Sequence, residues 1–310
     1  LARFFRRQPV QLKSVNKVFG TLGITDIRAY LLTGDSPAND TSISEQDAEV
    51  LGEWRVESVD SQVNRLSNGL TFQVCRLVHG VMPDTFARGK CYDLSKLRTR
   101  DQERAEEQLL RHPTVCRQLH ACPQVPTNER VLFSEDRNRF WVIDSWFDGI
   151  SLADKLRYGP LPRALLPKVM RQILDGLDAM HAANIIRREL SPQYIALIEP
   201  NSDVLLTELE LAKLLEGTIS VSETWDEDPY RAPEVEAEEI DLTVDFYSWA
   251  QILLHAVTGS VPPSPANPDL FAEAAIHKSV QAIAQRCVSP SHRWRPGSAV
   301  EIRDSLDGWS

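Results

Sequence analysis

The chain has 310 residues, of which 42% are hydrophobic and 25% are charged, and its formal net charge is −10 at pH 7. These values are typical of a globular protein with a sizeable core, and the acidic balance argues against a protein that coats nucleic acid, because phosphates demand a basic face. The longest apolar candidate, residues 246–257, is interrupted by Ser248, Gln251 and His255 and is too short for a membrane span, so no membrane partner is expected.

The five cysteines are scattered at positions 75, 91, 116, 122 and 287 without a CxxC pair. This spacing predicts neither a zinc site nor a disulfide framework, so no metal is expected and a reducing, cytoplasmic setting is inferred. The chain opens on Leu1 and carries no hydrophobic secretion segment, which predicts a piece of a longer polypeptide.

Residues 1–52 are irregular, with a basic start and two glycines at positions 20 and 23. They are interpreted as an N-terminal extension that acts as a linker and packs on the next part of the chain. Within it, Ser42 and Glu45 have the spacing of a capping box, which predicts a short helix ending at Leu51.

Short β-type runs are found over residues 53–148 and surround one helical stretch. We expect a small β-rich lobe with one helix from this alternation. The predicted strands are residues 55–59, 71–78, 86–92, 130–133 and 140–144, and the predicted helix is residues 98–111.

Residues 149–310 change to a mainly helical pattern. In residues 162–182 apolar side chains recur at spacings of three and four, so one face of a helix is expected to be buried. A second buried helix over residues 244–257 is expected to end at Gly259, where a left-handed cap forms easily. The second part of the chain is therefore predicted to be a larger, mainly α lobe.

Residues 184–195 (NIIRRELSPQYI) and residues 207–213 (TELELAK) of the second lobe carry two motifs, and these resemble the catalytic segments of the protein kinase family. Residues 184–195 are similar to the catalytic loop, which in active members reads His-Arg-Asp-Leu, a lysine and then an asparagine. Residues 207–213 lie where the family has its Asp-Phe-Gly segment.

Three further motifs occur in the order of the family. Residues 230–234 (YRAPE) resemble the end of the activation segment, and residues 245–250 (DFYSWA) resemble the start of the central helix of the large lobe. Arg295-Pro296 resembles a late pair whose arginine bonds the glutamate of Ala-Pro-Glu, here Glu234. The resemblance implies an α+β, two-lobed fold of the eukaryotic-type Ser/Thr kinase kind.

The resemblance also implies a nucleotide site in the small lobe. Residues 87–92 (ARGKCY) resemble the strand with the phosphate-pairing lysine, which makes Lys90 the candidate. Glu103, on the next helix of the chain, is the favoured partner of Lys90, ahead of Glu106 and Glu107.

The connection between the lobes carries an acidic residue at a position that borders the purine in the family. Aligning residues 141–152 with the hinge puts Asp144 at the gatekeeper position. Burial beside an apolar slot disfavours an ionised carboxylate, so the ionised form of Asp144 is expected to be penalised there.

Several catalytic positions carry other residue types than in active members. Glu189 replaces the catalytic aspartate, and its extra methylene moves the carboxylate by roughly an ångström, which can cost about 100-fold in rate. Ser191 replaces the lysine that neutralises the transferring group. Tyr194 stands at the second magnesium-binding asparagine, and a phenol is a poor ligand for magnesium.

The metal and phosphate segments are altered as well. Glu208 replaces the principal magnesium-binding aspartate, whereas Glu210 replaces a glycine whose backbone angles it cannot easily adopt. The loop of residues 60–70 offers only Gly69, although several glycines are needed for backbone amides to approach phosphates. The acids at 226–228 are interpreted as solvated, with phosphate mimicry as the alternative.

These replacements predict a degenerate member of the family, a pseudokinase that acts as an interaction, scaffolding or allosteric module. Its expected partner is a protein or another domain of a longer polypeptide, and no cofactor is expected. One alternative is a divergent active Ser/Thr kinase that uses ATP and magnesium through Lys90, Glu208 and Glu189. The other is a sensor that binds ATP through Lys90 and Glu208 without chemistry.

Overall fold

The computed structural model describes residues 50–66, 70–214, 228–235 and 240–309. The helix expected between Ser42 and Leu51 lies mostly outside the described residues, and its last two residues, Val50–Leu51, form a β-strand instead. They pair with the following strand across a tight turn in which Gly52 has φ of 68°. A glycine adopts this left-handed angle at little cost, so the chain reverses into a hairpin rather than continuing as a helix.

The strands of the small lobe form one antiparallel sheet in the order β1-β2-β3-β4-β6-β5. The strands of the large lobe are short and pair in two small sheets, β10-β9-β7 and β11-β8. Their bounds are β1 (Val50–Leu51), β2 (Trp54–Arg65), β3 (Thr71–His79), β4 (Phe86–Asp93), β5 (Asn128–Phe133), β6 (Arg139–Ser145), β7 (Gly149–Ser151), β8 (Ile185–Ile186), β9 (Ile195–Ile198), β10 (Asp203–Leu206) and β11 (Lys213–Leu214).

The helices are concentrated in the large lobe, as the sequence pattern predicted. Two lie between β4 and β5, α1 (Thr99–Leu109) and α2 (Arg111–Gln118), and the others are α3 (Leu152–Leu156), α4 (Leu166–Ala182), α5 (Thr243–Thr258), α6 (Asp269–Glu273), α7 (Lys278–Cys287) and α8 (Ala299–Leu306). None of these helices combines the length and the apolar character that crossing a membrane requires.

The small lobe therefore contains a second helix that the sequence pattern did not predict. The predicted helix ends close to where α1 does, but α2 begins only two residues after Leu109 and carries Pro113 at its third position. Proline is tolerated in the first turn of a helix because the amide it lacks would have no intrahelical partner there. Buried Val115 and Cys116 then pack α2 against the large-lobe core.

The core of the large lobe is built around α4 and α5. The apolar face expected for α4 is buried, including Met170 and Ile173, and α5 is enclosed on nearly all sides. The Trp249 indole N–H on α5 donates to the Met170 carbonyl on α4 at 2.9 Å. Helix α5 ends at Gly259 with φ of 71°, which confirms the predicted left-handed cap. The α+β, two-lobed fold expected from the resemblance is confirmed.

Candidate functional site

A row of polar side chains on β4 faces the start of the activation segment. Arg88, Lys90 and Tyr92 lie two residues apart, so they project from the same face of the strand. Arg88 Nη2 donates to Glu208 Oε1 at 2.7 Å, and Tyr92 Oη donates to Glu210 Oε1 at 2.8 Å. Lys90 Nζ, which is fully buried, also donates to Glu210 Oε1. The lysine predicted to hold phosphates thus binds a carboxylate of the same chain.

The prediction that Glu103 is the partner of Lys90 is wrong in this structure. Glu103 is exposed on α1, whereas Ala105 and Leu109 form the buried face of that helix. Two residues correspond to about 200° around a helix, so Glu103 points away from the face that Ala105 packs. Lys90 is neutralised from the other side of the cleft by Glu210.

The backbone at residues 208–211 adapts to bring both glutamates to β4. Glu208 has φ of 52° and ψ of 59°, and Leu209–Leu211 forms a 3₁₀ turn. The left-handed conformation in this segment is adopted by Glu208 and not by Glu210, the residue that replaces a glycine, at a cost of roughly 1–2 kcal/mol. Leu209 is fully buried in the large-lobe core, which holds the turn in place.

Asp144 extends this network towards the hinge. Its Oδ1 accepts from Asn128 Nδ2 at 2.9 Å and lies 2.9 Å from His112 Nε2, and its Oδ2 is 4.0 Å from Lys90 Nζ. Burial alone would raise the pKa of Asp144, but the charges of His112 and Lys90 and these hydrogen bonds outweigh it and hold the pKa well below its usual value. The expectation that the ionised form of Asp144 is penalised overall is therefore wrong.

His112 lies between two carboxylates. Burial would lower the pKa of His112, but Asp144 and Glu210 outweigh it and raise the pKa. Its Nδ1 is 3.6 Å from Glu210 Oε1 and also 3.2 Å from the Leu209 amide N–H, which by itself favours the neutral imidazole because a protonated Nδ1 cannot accept a hydrogen bond. The two facing carboxylates carry full charges, which outweigh this contact, so the pKa of His112 is raised overall.

Six ionisable side chains thus form one network, which we call the inter-lobe charge cluster, and five of them are buried while the Arg88 side chain is 15% exposed. Its three cations balance its three carboxylates when His112 is protonated, so the interior carries no net charge there. The members are Arg88, Lys90, His112, Asp144, Glu208 and Glu210. The sequence indicated Lys90 and Glu208 as site residues, but it gave no signal that Arg88 and His112 would join them.

Tyr194 is buried in the apolar core of the small lobe, although it belongs to the catalytic loop of the large lobe. Tyr194 is 5% exposed and forms one cluster with Leu66, Leu70 and Phe72. Leu66 and Leu70 flank the phosphate-loop positions 67–69, which lie outside the described residues, and the Leu66 amide bonds the Leu70 carbonyl at 2.8 Å. A phenol ring packed in an apolar cluster therefore occupies the position where the resemblance implies a magnesium ligand.

The catalytic-loop carboxylate is also engaged by the chain itself. Glu189 is 4% exposed, and its Oε1 accepts from Arg231 Nη2 at 2.9 Å and from Arg231 Nε at 3.1 Å. Ser191 lies close by in sequence and is buried, and its hydroxyl has no hydrogen-bond partner among the described residues. Glu189 and Ser191 both line a cavity of about 610 Å³ together with Tyr194.

The backbone of the catalytic loop is anchored by Asp245 at the start of α5. Its two carboxylate oxygens accept from the amides of Arg187 and Arg188, each at 2.8 Å, and Oδ2 is 2.8 Å from His181 Nε2. These bonds hold the loop even though its catalytic residue types have changed.

Arg187 is a site residue that the sequence analysis did not single out. Its guanidinium is fully buried, and Nη2 donates to the Thr207 carbonyl at 2.9 Å. Nε and Nη1 have no hydrogen-bond partner among the described residues. Burial lowers the pKa of Arg187, with the charge of Glu189 opposing this shift. The signal for it in the sequence is its place in the motif, since Arg187 stands where active members have the histidine of His-Arg-Asp.

Two further expectations can be compared with the structure. Arg295 and Glu234 form the predicted ion pair, with Nη2 at 3.0 Å from Oε2, so this contact is confirmed. Of the acids at 226–228, only Asp228 lies within the described residues. It is partly buried and accepts from the Tyr230 amide at 2.8 Å, so it caps a turn. No cluster of metal-ligating side chains was found in the described ranges.

Comparison with known proteins gives a consistent set of relatives. The protein kinase domain family matches residues 64–304. A putative cyclin-dependent kinase F-2 of Oryza sativa subsp. japonica is 30% identical over 131 residues, covering 39% of this chain and 38% of that protein. Serine/threonine-protein kinase A of Synechocystis sp. is 29% identical over 198 residues, covering 54% of this chain and 38% of that protein. The matched segments thus span well under two thirds of these relatives.

Proposed function

This chain belongs to the protein kinase family, and we propose that it works as a pseudokinase, an interaction, scaffolding or allosteric module with weak or no ATP binding and without phosphate transfer. The observation that carries the proposal is the burial of Tyr194 in one apolar cluster with Leu66 and Leu70. A magnesium ion at that point needs a compact oxygen ligand, and the Tyr194 ring, packed against Leu66 and Leu70, supplies only a phenol there.

Two further contacts support the proposal. Phosphoryl transfer depends on a free cation to hold the phosphates and on a carboxylate to orient the attacking hydroxyl. Lys90 is neutralised by Glu210 inside the protein, and Glu189 is held by Arg231. Lys90 and Glu189, which keep the charge of the lysine and the aspartate of active members, are thus both bound by other residues of the chain.

The expected partner is a protein or another domain of a longer polypeptide. The matched segments cover 38% of each of the two relatives named above, so most of each relative lies outside the match. A domain that transfers no phosphate can act by binding a protein at its surface or by contacting another domain of the same polypeptide.

Thermal unfolding with ATP, measured with and without magnesium, tests the proposal. We expect no shift in the midpoint, whereas a nucleotide at one hundred times its Kd would stabilise the fold by about 2.7 kcal/mol. The Lys90→Ala variant is the matched control for the site. A stabilisation of the native chain that is lost in Lys90→Ala would overturn the proposal in favour of an ATP sensor.

The second candidate function is a divergent active Ser/Thr kinase. It is favoured by the carboxylates retained at Glu189 and Glu208 and by the names of the relatives, which include serine/threonine-protein kinases. Incubation with labelled ATP, magnesium and a generic protein substrate tests it. We expect no transfer to the substrate or to the chain. Transfer that Glu208→Ala abolishes, and that the exposed control Glu57→Ala retains, would establish the second candidate instead.

A further inference from the structure

The contacts of β4 with residues 208–210 form two matched rows. On the strand, Arg88, Lys90 and Tyr92 present three donors at a spacing of two residues, and across the cleft Glu208 and Glu210 present carboxylates at the same spacing. Lys90 and Glu210 are both fully buried, and Glu208 is 3% exposed. Each cation in these rows therefore faces a carboxylate of the same chain, although the Arg88 side chain is 15% exposed and Glu210 Oε2 has no hydrogen-bond partner among the described residues.

The ion pairs between these rows connect a strand of the small lobe to a segment that is anchored in the large lobe. β4 belongs to the central part of the small-lobe sheet, whereas Leu209, between the two glutamates, is buried in the large-lobe core. The Leu209 amide also lies 3.2 Å from His112 Nδ1, and His112 bonds Asp144 on β6. A separation of the lobes would thus have to expose or unpair several buried charges at once, which is costly because each lone buried ion loses its hydration without compensation.

We infer that Glu208 and Glu210 act as a built-in replacement for an anionic ligand and lock the two lobes together, so that the lobe arrangement is independent of nucleotide. The inference rests on the proposed function in one respect, namely that Lys90 is not available to a nucleotide. It adds that the domain presents one constant arrangement to its partner. The ion pairs of Glu208 and Glu210, and not a bound small molecule, hold the two lobes in their arrangement.

Hydrogen exchange measured by mass spectrometry on the whole chain tests the lock. The test variant carries Glu208→Gln with Glu210→Gln, which removes both charges and keeps side-chain volume. We expect amides of β4 and β6 to exchange at least tenfold faster, while amides of α5 in the large-lobe core keep their native rate. ATP with magnesium is expected to leave the exchange of the native chain unchanged.

The matched control is Glu57→Gln. Glu57 pairs with Arg76 at 3.0 Å within the small lobe, with side chains 43% and 39% exposed, so its removal is expected to alter no rate. Native exchange rates in β4 of the double variant would overturn the lock. Acceleration of α5 by the same factor as β4 would overturn it too, because the glutamates would then stabilise the whole fold and not the junction.

A single variant keeps the test decisive if the double variant does not fold. Glu208→Gln removes only the Arg88 pair, and we expect a smaller acceleration confined to the same strands. An unchanged β4 in this variant would also refute the lock. Failure of the proposed function is seen separately, as ATP-dependent stabilisation of the native chain, whereas the lock is judged by the response of β4 to the loss of the glutamates.

Discussion

Tyr194 of the large lobe lies in the same apolar cluster as Leu66 of the small lobe, and the two residues are 5% and 1% exposed. This contact connects the catalytic loop to the strand before the phosphate loop. It converts a position that the resemblance assigns to metal binding into a packing position. The consequences of that change for stability can be measured directly.

Removal of the Tyr194 ring is expected to destabilise the fold. Truncation of a large buried aromatic residue costs about 3–5 kcal/mol, so Tyr194→Ala should lower the free energy of unfolding in urea by about 3 kcal/mol. Tyr194→Phe should change it little, because the hydroxyl has no hydrogen-bond partner in the described part of the chain. Tyr158→Ala, at a 90% exposed site, is the control. Equal effects of Tyr194→Ala and Tyr158→Ala would contradict the packing role.

The stability of the chain is expected to depend on pH in two limbs. Burial raises the pKa of Asp144, but His112 and Lys90 lower it more, so the pKa is lower in the folded than in the unfolded chain. The ionised carboxylate therefore stabilises the fold above its unfolded pKa of about 4. This stabilisation is lost as pH falls through the pKa of the folded chain. Burial lowers the pKa of His112, but Asp144 raises it more, so the pKa is higher in the folded than in the unfolded chain. The imidazolium therefore stabilises the fold fully below its unfolded pKa of about 6.5. This stabilisation is lost as pH rises through the pKa of the folded chain.

Urea unfolding measured from acid to alkaline pH separates the contribution of Asp144, which changes at acid pH, from that of His112, which changes at alkaline pH. Asp144→Asn should flatten the acid limb and His112→Gln the alkaline limb, whereas Glu57→Gln at an exposed pair should alter neither. The largest stability is expected between roughly pH 4 and 6.5 as far as these two groups determine it. Curves for Asp144→Asn and His112→Gln that run parallel to that of the native chain would refute the assignment.

The Arg295–Glu234 pair is expected to be important for stability. The Arg295 side chain is fully buried and bonds both carboxylate oxygens of Glu234. Removal of one partner of a fully buried pair costs about 3–5 kcal/mol. Since the Glu234 side chain is 23% exposed, we expect Arg295→Met to cost less than that in urea unfolding but more than about 1 kcal/mol, the upper value for an exposed pair. Arg286→Met removes an exposed pair with Glu301 and should cost under about 1 kcal/mol. A similar loss in both variants would be inconsistent with this reasoning.

Arg187 is expected to behave differently from Arg295, although both are buried. Two of its guanidinium nitrogens lack hydrogen-bond partners in the described residues, and burial lowers its pKa. Replacement of a poorly satisfied buried ion by an apolar side chain of similar volume is often neutral or stabilising. We therefore expect Arg187→Met to change the free energy of unfolding by at most about 1 kcal/mol, as judged by urea unfolding. A loss as large as that in Arg295→Met would show that the guanidinium is a required cation.

The sequence by itself determined the features that depend on local periodicity and motif order. The apolar spacing in residues 162–182 identified the buried face of α4, and Gly259 identified the end of α5. The order of the motifs identified the kinase fold and the Arg295–Glu234 pair. These features were predictable because a helix face follows from spacing alone. The Arg295–Glu234 pair was predictable because the resemblance to the family implies a contact between these two motif residues.

Only the tertiary structure decided which charges meet in the cleft. Lys90 and Glu210 are 120 residues apart in the chain, and no local pattern relates them. Glu103 was a reasonable partner from its place on α1, but the rotation of that helix turns it to the exposed side. Likewise, the ionisation of Asp144 depends on His112. Long-range packing sets both the partner and the dielectric surroundings of a buried charge, and these determine whether a site residue is free or already occupied.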